Sequence, residues 1–165
     1  MRMRMVQAFV AFMLACTSVP ALAEPPSEAF QSRVQELARW IAAHSDYPAA
    51  FKQAPNFVFL PPDIIRHSFS GSSMGYSSQS NSVQAAQVKG AIYLPETFAL
   101  GRDDYILVHE LVHHLQEESG KRFACMEARE REAYVLQTKF VEETGKGEVP
   151  NDMFMLMLRC DVRLL

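Results

Sequence analysis

The chain has 165 residues, of which 48% are apolar and 21% charged, with 9 prolines and 7 glycines. This composition excludes a disordered polar chain, a collagen-like repeat and a cysteine-dense miniprotein. The length fits one domain with a single hydrophobic core, and a formal net charge of −3 at pH 7 gives no indication of nucleic acid or an anionic membrane surface as the partner.

The first 23 residues have the features of a secretory signal peptide. Two arginines stand at the start, residues 6–15 are almost entirely apolar, and small residues precede the expected cleavage point after residue 23. The apolar run is too short to cross about 30 Å of hydrocarbon, so no membrane span is predicted. A lipid anchor at Cys16 is disfavoured, because the residues before it fit a lipoprotein cleavage site poorly. We therefore expect an exported protein, periplasmic or secreted, with a single domain over residues 24–165.

Two cysteines, Cys125 and Cys160, remain after removal of the signal peptide. An even number of cysteines in an exported chain indicates a disulfide. Closing a loop of about 35 residues would stabilise the fold by roughly 3–4 kcal/mol in the chain-entropy model. The alternative is a pair of buried free thiols, and a cysteine-based metal site would need more thiols than these.

The first half of the domain mixes one helix with short strands. Ser27 can cap a helix over residues 28–43, and a short helical turn near residues 48–53 and a strand at residues 56–60 follow. The serine-rich residues 68–82 indicate a flexible loop or a turn-rich hairpin connection, and residues 87–94 form the next predicted strand. The buried face of the helix is predicted from apolar residues at helical spacing, namely Phe30, Val34, Leu37, Ala38 and Ile41.

Three helices are predicted in the second half. The first covers residues 105–119, is capped by one of two adjacent aspartates and ends at Gly120 in a left-handed conformation. The second covers residues 125–143, and the third covers residues 151–160. We interpret the methionines of the last helix as core filler rather than metal ligands; they are Met153, Met155 and Met157.

The pattern His109-Glu110-Leu111-Val112-His113 lies on the first of these helices. Residues i and i+4 lie one above the other, so both imidazoles can reach one cation. Glu110 lies about 100° round the helix axis from His109, where its carboxylate could take a proton from a metal-bound water. It is also the only charged residue between positions 105 and 115, and a lone carboxylate on such an apolar segment is costly without a partner. The alternative is a buried helix whose histidines bind backbone carbonyls, but the pair with this glutamate favours metal.

The following helix carries three glutamates, each of which is a candidate for the third metal ligand. Glu127, Glu130 and Tyr134 share one face, whereas Glu132 points roughly the other way. The alternative for the glutamates is a solvated helix face paired with neighbouring arginines, which is our interpretation of Glu132. Ala133 is small enough to let the two helices pack closely.

An HExxH helix followed by Glu130-Arg131-Glu132-Ala133-Tyr134 resembles the gluzincin metallopeptidases. It is most similar to their small members, the repressor-cleaving ImmA/IrrE type and the HtpX/CAAX-protease type, over about residues 88–140. The resemblance implies an α+β, minimal zincin-like fold in which a small sheet packs on the HExxH helix and a second helix carries a ligand. It also implies that the strand ending at residue 94 is an edge strand that pairs with an extended substrate.

The resemblance implies a Zn²⁺ ion held by His109, His113 and Glu130, with Glu127 as the next candidate. In those groups an Asp or Asn follows the third ligand by four residues and holds a ligand histidine. Tyr134 stands at that position here, so this support is missing or replaced.

The expected function is that of an exported zinc metallopeptidase acting on a peptide or protein substrate. Glu110 would be the general base, and Tyr134 is the first choice for the group that stabilises the oxyanion, with Tyr93, Tyr76 and His67 as alternatives. The other hypothesis is a catalytically inactive domain of the same fold that serves as a binding module in the cell envelope.

Overall fold

The computed structural model describes residues 26–69, 75–77 and 83–160. The predicted signal peptide, Cys16 and most of the serine-rich segment lie outside these residues. The described part has an α+β architecture, and none of its helices is both long and apolar enough to cross a membrane. In chain order its elements are α1 (Glu28–Ala43), β1 (Asn56–Leu60), α2 (Pro62–Phe69), β2 (Gly75–Ser77), β3 (Val83–Val88), β4 (Ala91–Pro95), α3 (Asp104–Ser119), α4 (Met126–Thr144) and α5 (Asp152–Met157).

The four strands form one mixed sheet in the order β1-β4-β3-β2. β1 runs parallel to β4, with Phe57 opposite Ile92, and β3 runs antiparallel to β4, with Gln87 opposite the same residue. β4 is therefore paired on both sides. The prediction that the strand ending at residue 94 is an edge strand for substrate is wrong, because β1 occupies the position that a substrate would need.

The single strand predicted over residues 87–94 is also wrong, since the structure has two strands there. Lys89 and Gly90 take positive φ angles of 49° and 78° and reverse the chain between β3 and β4. Such a two-residue turn matches the twist of antiparallel strands.

The helices before the site follow the sequence closely, with two exceptions. The Ser27 hydroxyl caps α1 by accepting a hydrogen bond from the Phe30 N–H at 3.2 Å. The helical turn predicted near residues 48–53 is wrong, because this segment forms only bends. α2 is not in the sequence prediction; it starts at Pro62, where the missing N–H costs nothing in the first turn of a helix.

The helix that carries the HExxH pattern, α3, forms the centre of the fold. Every residue from Asp104 to Gln116 is buried, and α3 contacts α1, α4 and β3. Arg33 of α1 holds the start of α3 by donating from Nε and Nη2 to Asp104 Oδ2, at 2.9 and 2.7 Å. Gly120, with φ 65°, ends the helix in the predicted left-handed conformation.

The next helix, α4, packs against α3 through the completely buried Ala133. A disulfide joins Cys125, the N-cap of α4, to Cys160 after α5, with the two Cα atoms 5.6 Å apart, and this is the predicted pairing. The interpretation of the α5 methionines as core filler is wrong for two of them. Met153 is 67% exposed and Met157 is 64% exposed, because α5 is a short surface helix that turns only Phe154 and Met155 toward the core.

Candidate metal centre

The side chains of His109, His113 and Glu130 converge where α3 faces α4. The His109 and His113 Nε2 atoms lie 3.0 Å apart. Glu130 Oε2 lies 3.4 Å from the first and 3.2 Å from the second. Imidazole nitrogens and carboxylate oxygens are both common metal ligands. Among the described residues, His109, His113 and Glu130 form the one group of three whose ligand atoms lie close enough together to hold a metal ion.

The chemistry and spacing of these atoms fit a zinc ion. Two imidazole nitrogens and one carboxylate oxygen are a common ligand set for catalytic zinc, and tetrahedral bonds of about 2.0–2.2 Å place ligand atoms about 3.3–3.6 Å apart. The distances here are at or slightly below that range. In addition, the buried Oε1 of Glu130 makes no hydrogen bond to any described residue, so nothing protein-derived competes for this carboxylate oxygen.

Gln116 fixes the orientation of His113. Its Nε2 donates to the Arg129 carbonyl at 3.1 Å and to the Glu132 carboxylate at 3.0 Å, and both groups can only accept. Its Oε1 must therefore be the atom that lies 2.7 Å from His113 Nδ1. An amide oxygen cannot donate, so the imidazole carries its proton on Nδ1 and presents the Nε2 lone pair to the site.

Gln137 does the same for His109. Gln137 Nε2 donates to the Glu148 carbonyl at 3.1 Å, which leaves Oε1 to accept from His109 Nδ1, also at 3.1 Å. Both histidines thus aim an unprotonated Nε2 at the same point. Two lone pairs 3.0 Å apart repel each other, and a cation beside both of them relieves that repulsion.

The protonation states at neutral pH also suit a cation. Burial lowers the pKa of His109 to about 4, so the imidazole is neutral. Burial alone would raise the pKa of Glu130, but the charges and hydrogen bonds of His113 and His109, which protonate at low pH, outweigh it and lower the pKa to about 2, so the carboxylate is ionised at neutral pH. The cluster therefore combines a neutral nitrogen ligand with an ionised carboxylate, which are the forms that bind metal.

The two residues predicted to take part in catalysis lie in the same region. Glu110 follows His109 on α3 and is completely buried. The Tyr134 ring packs edge-on against the His109 imidazole, with centroids 4.4 Å apart, and against Phe154 of α5 at 5.0 Å. Tyr134 thus supports His109 through ring packing, at the position where the families that the chain resembles carry Asp or Asn.

The other glutamates of α4 do not join the cluster. Glu127 is exposed and lies outside the group of three ligands. Glu132 points away, as predicted, but it is more than a solvated residue paired with an arginine. Its carboxylate accepts from the Tyr47 hydroxyl at 2.9 Å and forms an ion pair with Lys121 at 2.5 Å, which ties α4 to the loop after α1.

A cavity of about 1040 Å³ lies on this other side of α4. It is bounded by residues 44–48, the exposed side of α4 and the chain around Cys160, and no ligand of the candidate metal centre lines it. The cavity is therefore separate from the site.

The sequence reasoning missed both glutamines that hold the ligand histidines. Gln116 follows His113 by three residues, and Gln137 follows Glu130 by seven, which are spacings that place side chains on one helix face. These spacings could have identified them.

No curated protein and no solved structure matches the chain. One family model does, over residues 26–163. Since this match covers most of the chain, the protein belongs to the family described as Domain of unknown function (DUF6647).

Proposed function

We propose that this protein is an exported zinc-dependent metallopeptidase. The observation that carries the proposal is the convergence of His109, His113 and Glu130, with each histidine oriented by a glutamine so that Nε2 faces the common point. An HExxH helix buried along almost its whole length, with a downstream glutamate on the adjacent helix, supports a site built for a metal rather than three residues that meet by chance.

His109, His113 and Glu130 would hold the zinc. When bound, zinc acts as a Lewis acid that polarises a peptide carbonyl and lowers the pKa of water to about 7. Gln116 and Gln137 accept hydrogen bonds from the two Nδ1–H groups, which holds each imidazole in the orientation and tautomer that direct Nε2 to the zinc.

Glu110 would be the general base and then the general acid. Its carboxylate takes a proton from the attacking water and returns it to the leaving amide nitrogen, so that the amine departs neutral. Glu110 is completely buried and directly follows His109 on α3, which keeps its carboxylate away from bulk water and close to the proposed zinc ligands. Tyr134 packs on His109, and stabilisation of the oxyanion by its hydroxyl stays a prediction.

Export is supported by the disulfide between Cys125 and Cys160, since disulfides persist mainly in oxidising compartments. The leader-like residues 1–23 point the same way.

Hydrolysis of a mixed peptide library by the zinc-loaded protein, followed by mass spectrometry, tests the proposal. We expect Glu110→Gln to keep zinc and to lose at least about a hundredfold in rate. Glu127→Gln makes the same chemical change at an exposed position outside the cluster and should retain full activity. Turnover by Glu110→Gln at the rate of the unaltered protein would contradict the mechanism. Zinc binding without hydrolysis of any peptide would instead favour the binding-module hypothesis.

A further inference from the structure

A second, smaller pocket of about 320 Å³ lies beside the candidate metal centre, between the β3–β4 turn and the start of α4. Its walls combine apolar atoms of Val88 and Phe123 with the charged side chains of Lys89 and Arg129. Unlike the larger cavity behind α4, this pocket is also lined by Gln116, the residue that orients His113. The pocket and the candidate metal centre therefore share a wall.

Arg129 is the main feature of this pocket. Arg129 is half-buried, yet its side-chain partners among the described residues are both uncharged. Nε donates to Gln116 Oε1 at 3.1 Å, and Nη2 donates to Gln87 Oε1 at 3.1 Å. A guanidinium has five N–H donors, so three remain for another acceptor. A half-buried cation held only by amide oxygens is well suited to bind an external carboxylate.

The surrounding charges favour an anion. Lys89 forms no ion pair with any described residue and lies at the pocket mouth. Lys121 also lines the pocket, but Glu132 already neutralises it. The one carboxylate in the lining, Glu117, accepts from the Gln87 amide and from the Gly90 N–H at 3.2 Å, and it forms no ion pair in the described chain. Arg129 and Lys89 together outweigh it.

The pocket is close enough to serve the same ligand as the metal centre. Gln116 Oε1 accepts from both His113 Nδ1 and Arg129 Nε, so one amide oxygen separates the ligand histidine from the guanidinium. An extended peptide advances about 3.3–3.6 Å per residue. Gln116 lies on the Nδ1 side of His113, whereas the metal-facing Nε2 lies on the other side of the ring. A peptide that reaches both places must pass around this imidazole, so a carboxylate bound to Arg129 would belong to a residue at least about two positions from the peptide bond at the metal centre.

We infer that this pocket is a carboxylate-binding subsite, in which Arg129, assisted by Lys89, selects peptides that carry a carboxylate a few residues from the cleaved bond. The choice of substrate class rests on the proposed function, whereas binding of the carboxylate does not. The carboxylate can be the C-terminus of the peptide or an acidic side chain.

Peptide binding to the zinc-free protein, in which no cleavage can occur, tests the subsite. Four probes distinguish the sources of the carboxylate: acetyl-Ala-Ala-Ala with a free C-terminus, its amide, acetyl-Ala-Glu-Ala-amide and acetyl-Ala-Gln-Ala-amide. The NMR signal of the Arg129 Nε–H reports contact directly. We expect the free acid, the glutamate peptide or both to bind at least about fivefold more tightly than the matched neutral peptide and to shift this signal. Equal binding of all four, or no binding at millimolar concentration, would overturn the inference.

Three variants separate the subsite from general effects on the fold. Arg129→Gln should abolish the preference. Lys89→Gln should reduce it by about two- to fivefold without touching a glutamine that holds a histidine. Arg131→Gln removes the same charge two residues along α4, at an exposed position that lines the other cavity, and should leave the preference unchanged. A preference that survives Arg129→Gln contradicts the inference even if zinc binding and hydrolysis are both observed. A protein that binds no zinc but prefers carboxylate probes would refute only the proposed function.

Discussion

Replacement of Gln137 by leucine tests whether this residue holds a zinc ligand. In the structure Gln137 Oε1 accepts from His109 Nδ1 at 3.1 Å, and its Nε2 donates to the Glu148 carbonyl at the same distance. Loss of a group that orients a ligand histidine typically weakens metal binding by about 10- to 100-fold, equivalent to about 1.4–2.7 kcal/mol. Gln137→Leu also leaves the completely buried His109 Nδ1 without this partner, which costs about 1–3 kcal/mol of unfolding free energy.

Zinc affinity and stability must therefore be measured separately, by competition with a chelator of known affinity and by urea unfolding of the zinc-free protein. Gln87→Leu is the matched control, because Gln87 is also buried and hydrogen-bonded through both amide atoms but contacts neither ligand histidine. We expect both variants to lose stability and only Gln137→Leu to lose zinc affinity. Gln137→Glu keeps an acceptor for His109 and should retain affinity within about threefold despite lower stability. Zinc binding by Gln137→Leu as tight as that of the unaltered protein would refute the reasoning.

Three further predictions concern stability, measured as the free energy of unfolding in urea. Replacing both Cys125 and Cys160 by serine should cost about 3–4 kcal/mol, from the 35-residue loop that the disulfide closes; an unchanged value would rule out this loop effect. Gly147→Ala should cost roughly 3 kcal/mol or more, because φ is 111° and the new Cβ would lie 2.5 Å from a tyrosine ring. Gly145→Ala, whose new Cβ meets no atom within 4 Å, should cost about 1–2 kcal/mol. Equal costs for the two variants would show that the tyrosine ring does not clash with the new Cβ. Burial alone would raise the pKa of the Glu132 carboxyl, but its lysine, tyrosine and glutamine partners outweigh burial and lower the pKa. The stability that this carboxylate contributes is therefore present above the unfolded pKa of 4.5 and is lost as the pH falls through the lower pKa of the folded state. Glu132→Gln should make the loss of stability below pH 4.5 less steep, and an unchanged loss of stability would contradict this role of Glu132.

The elements that the sequence predicts well are those whose own residues determine them. α1 has a serine cap and an apolar stripe, and α3 ends at a glycine in the required conformation. The sequence predicts one strand over residues 87–94, where the structure has parts of β3 and β4, because Lys89-Gly90 is the only polar interruption of this segment. These two residues form a turn because β3 and β4 pair with each other, and the local pattern does not show that pairing. α2 is not in the sequence prediction because two prolines, Pro61 and Pro62, follow β1 and proline usually ends regular structure, although it also suits the first turn of a helix.

The candidate site also contains residues that the sequence alone predicts and residues whose roles depend on the three-dimensional fold. The HExxH spacing places its two histidines together without knowledge of the fold, because both lie on one helix. Glu130 could be proposed from helix faces and resemblance, but its choice over Glu127 depends on how α4 lies against α3. The roles of Gln116 and Arg129 depend on contacts between elements distant in sequence, such as Arg129 with Gln87 of β3, and no local pattern contains them.

The measurement that tests the central claim most directly is the number of zinc ions per chain, determined by elemental analysis of protein purified without chelator or added metal. We expect close to one zinc per chain. It should be absent from His109→Ala and Glu130→Ala and retained in Glu127→Ala, whose side chain lies on the same helix but outside the cluster. A chain that carries no zinc and takes up none on addition, or one that keeps its zinc in His109→Ala, would contradict the assignment of His109, His113 and Glu130 as a metal site.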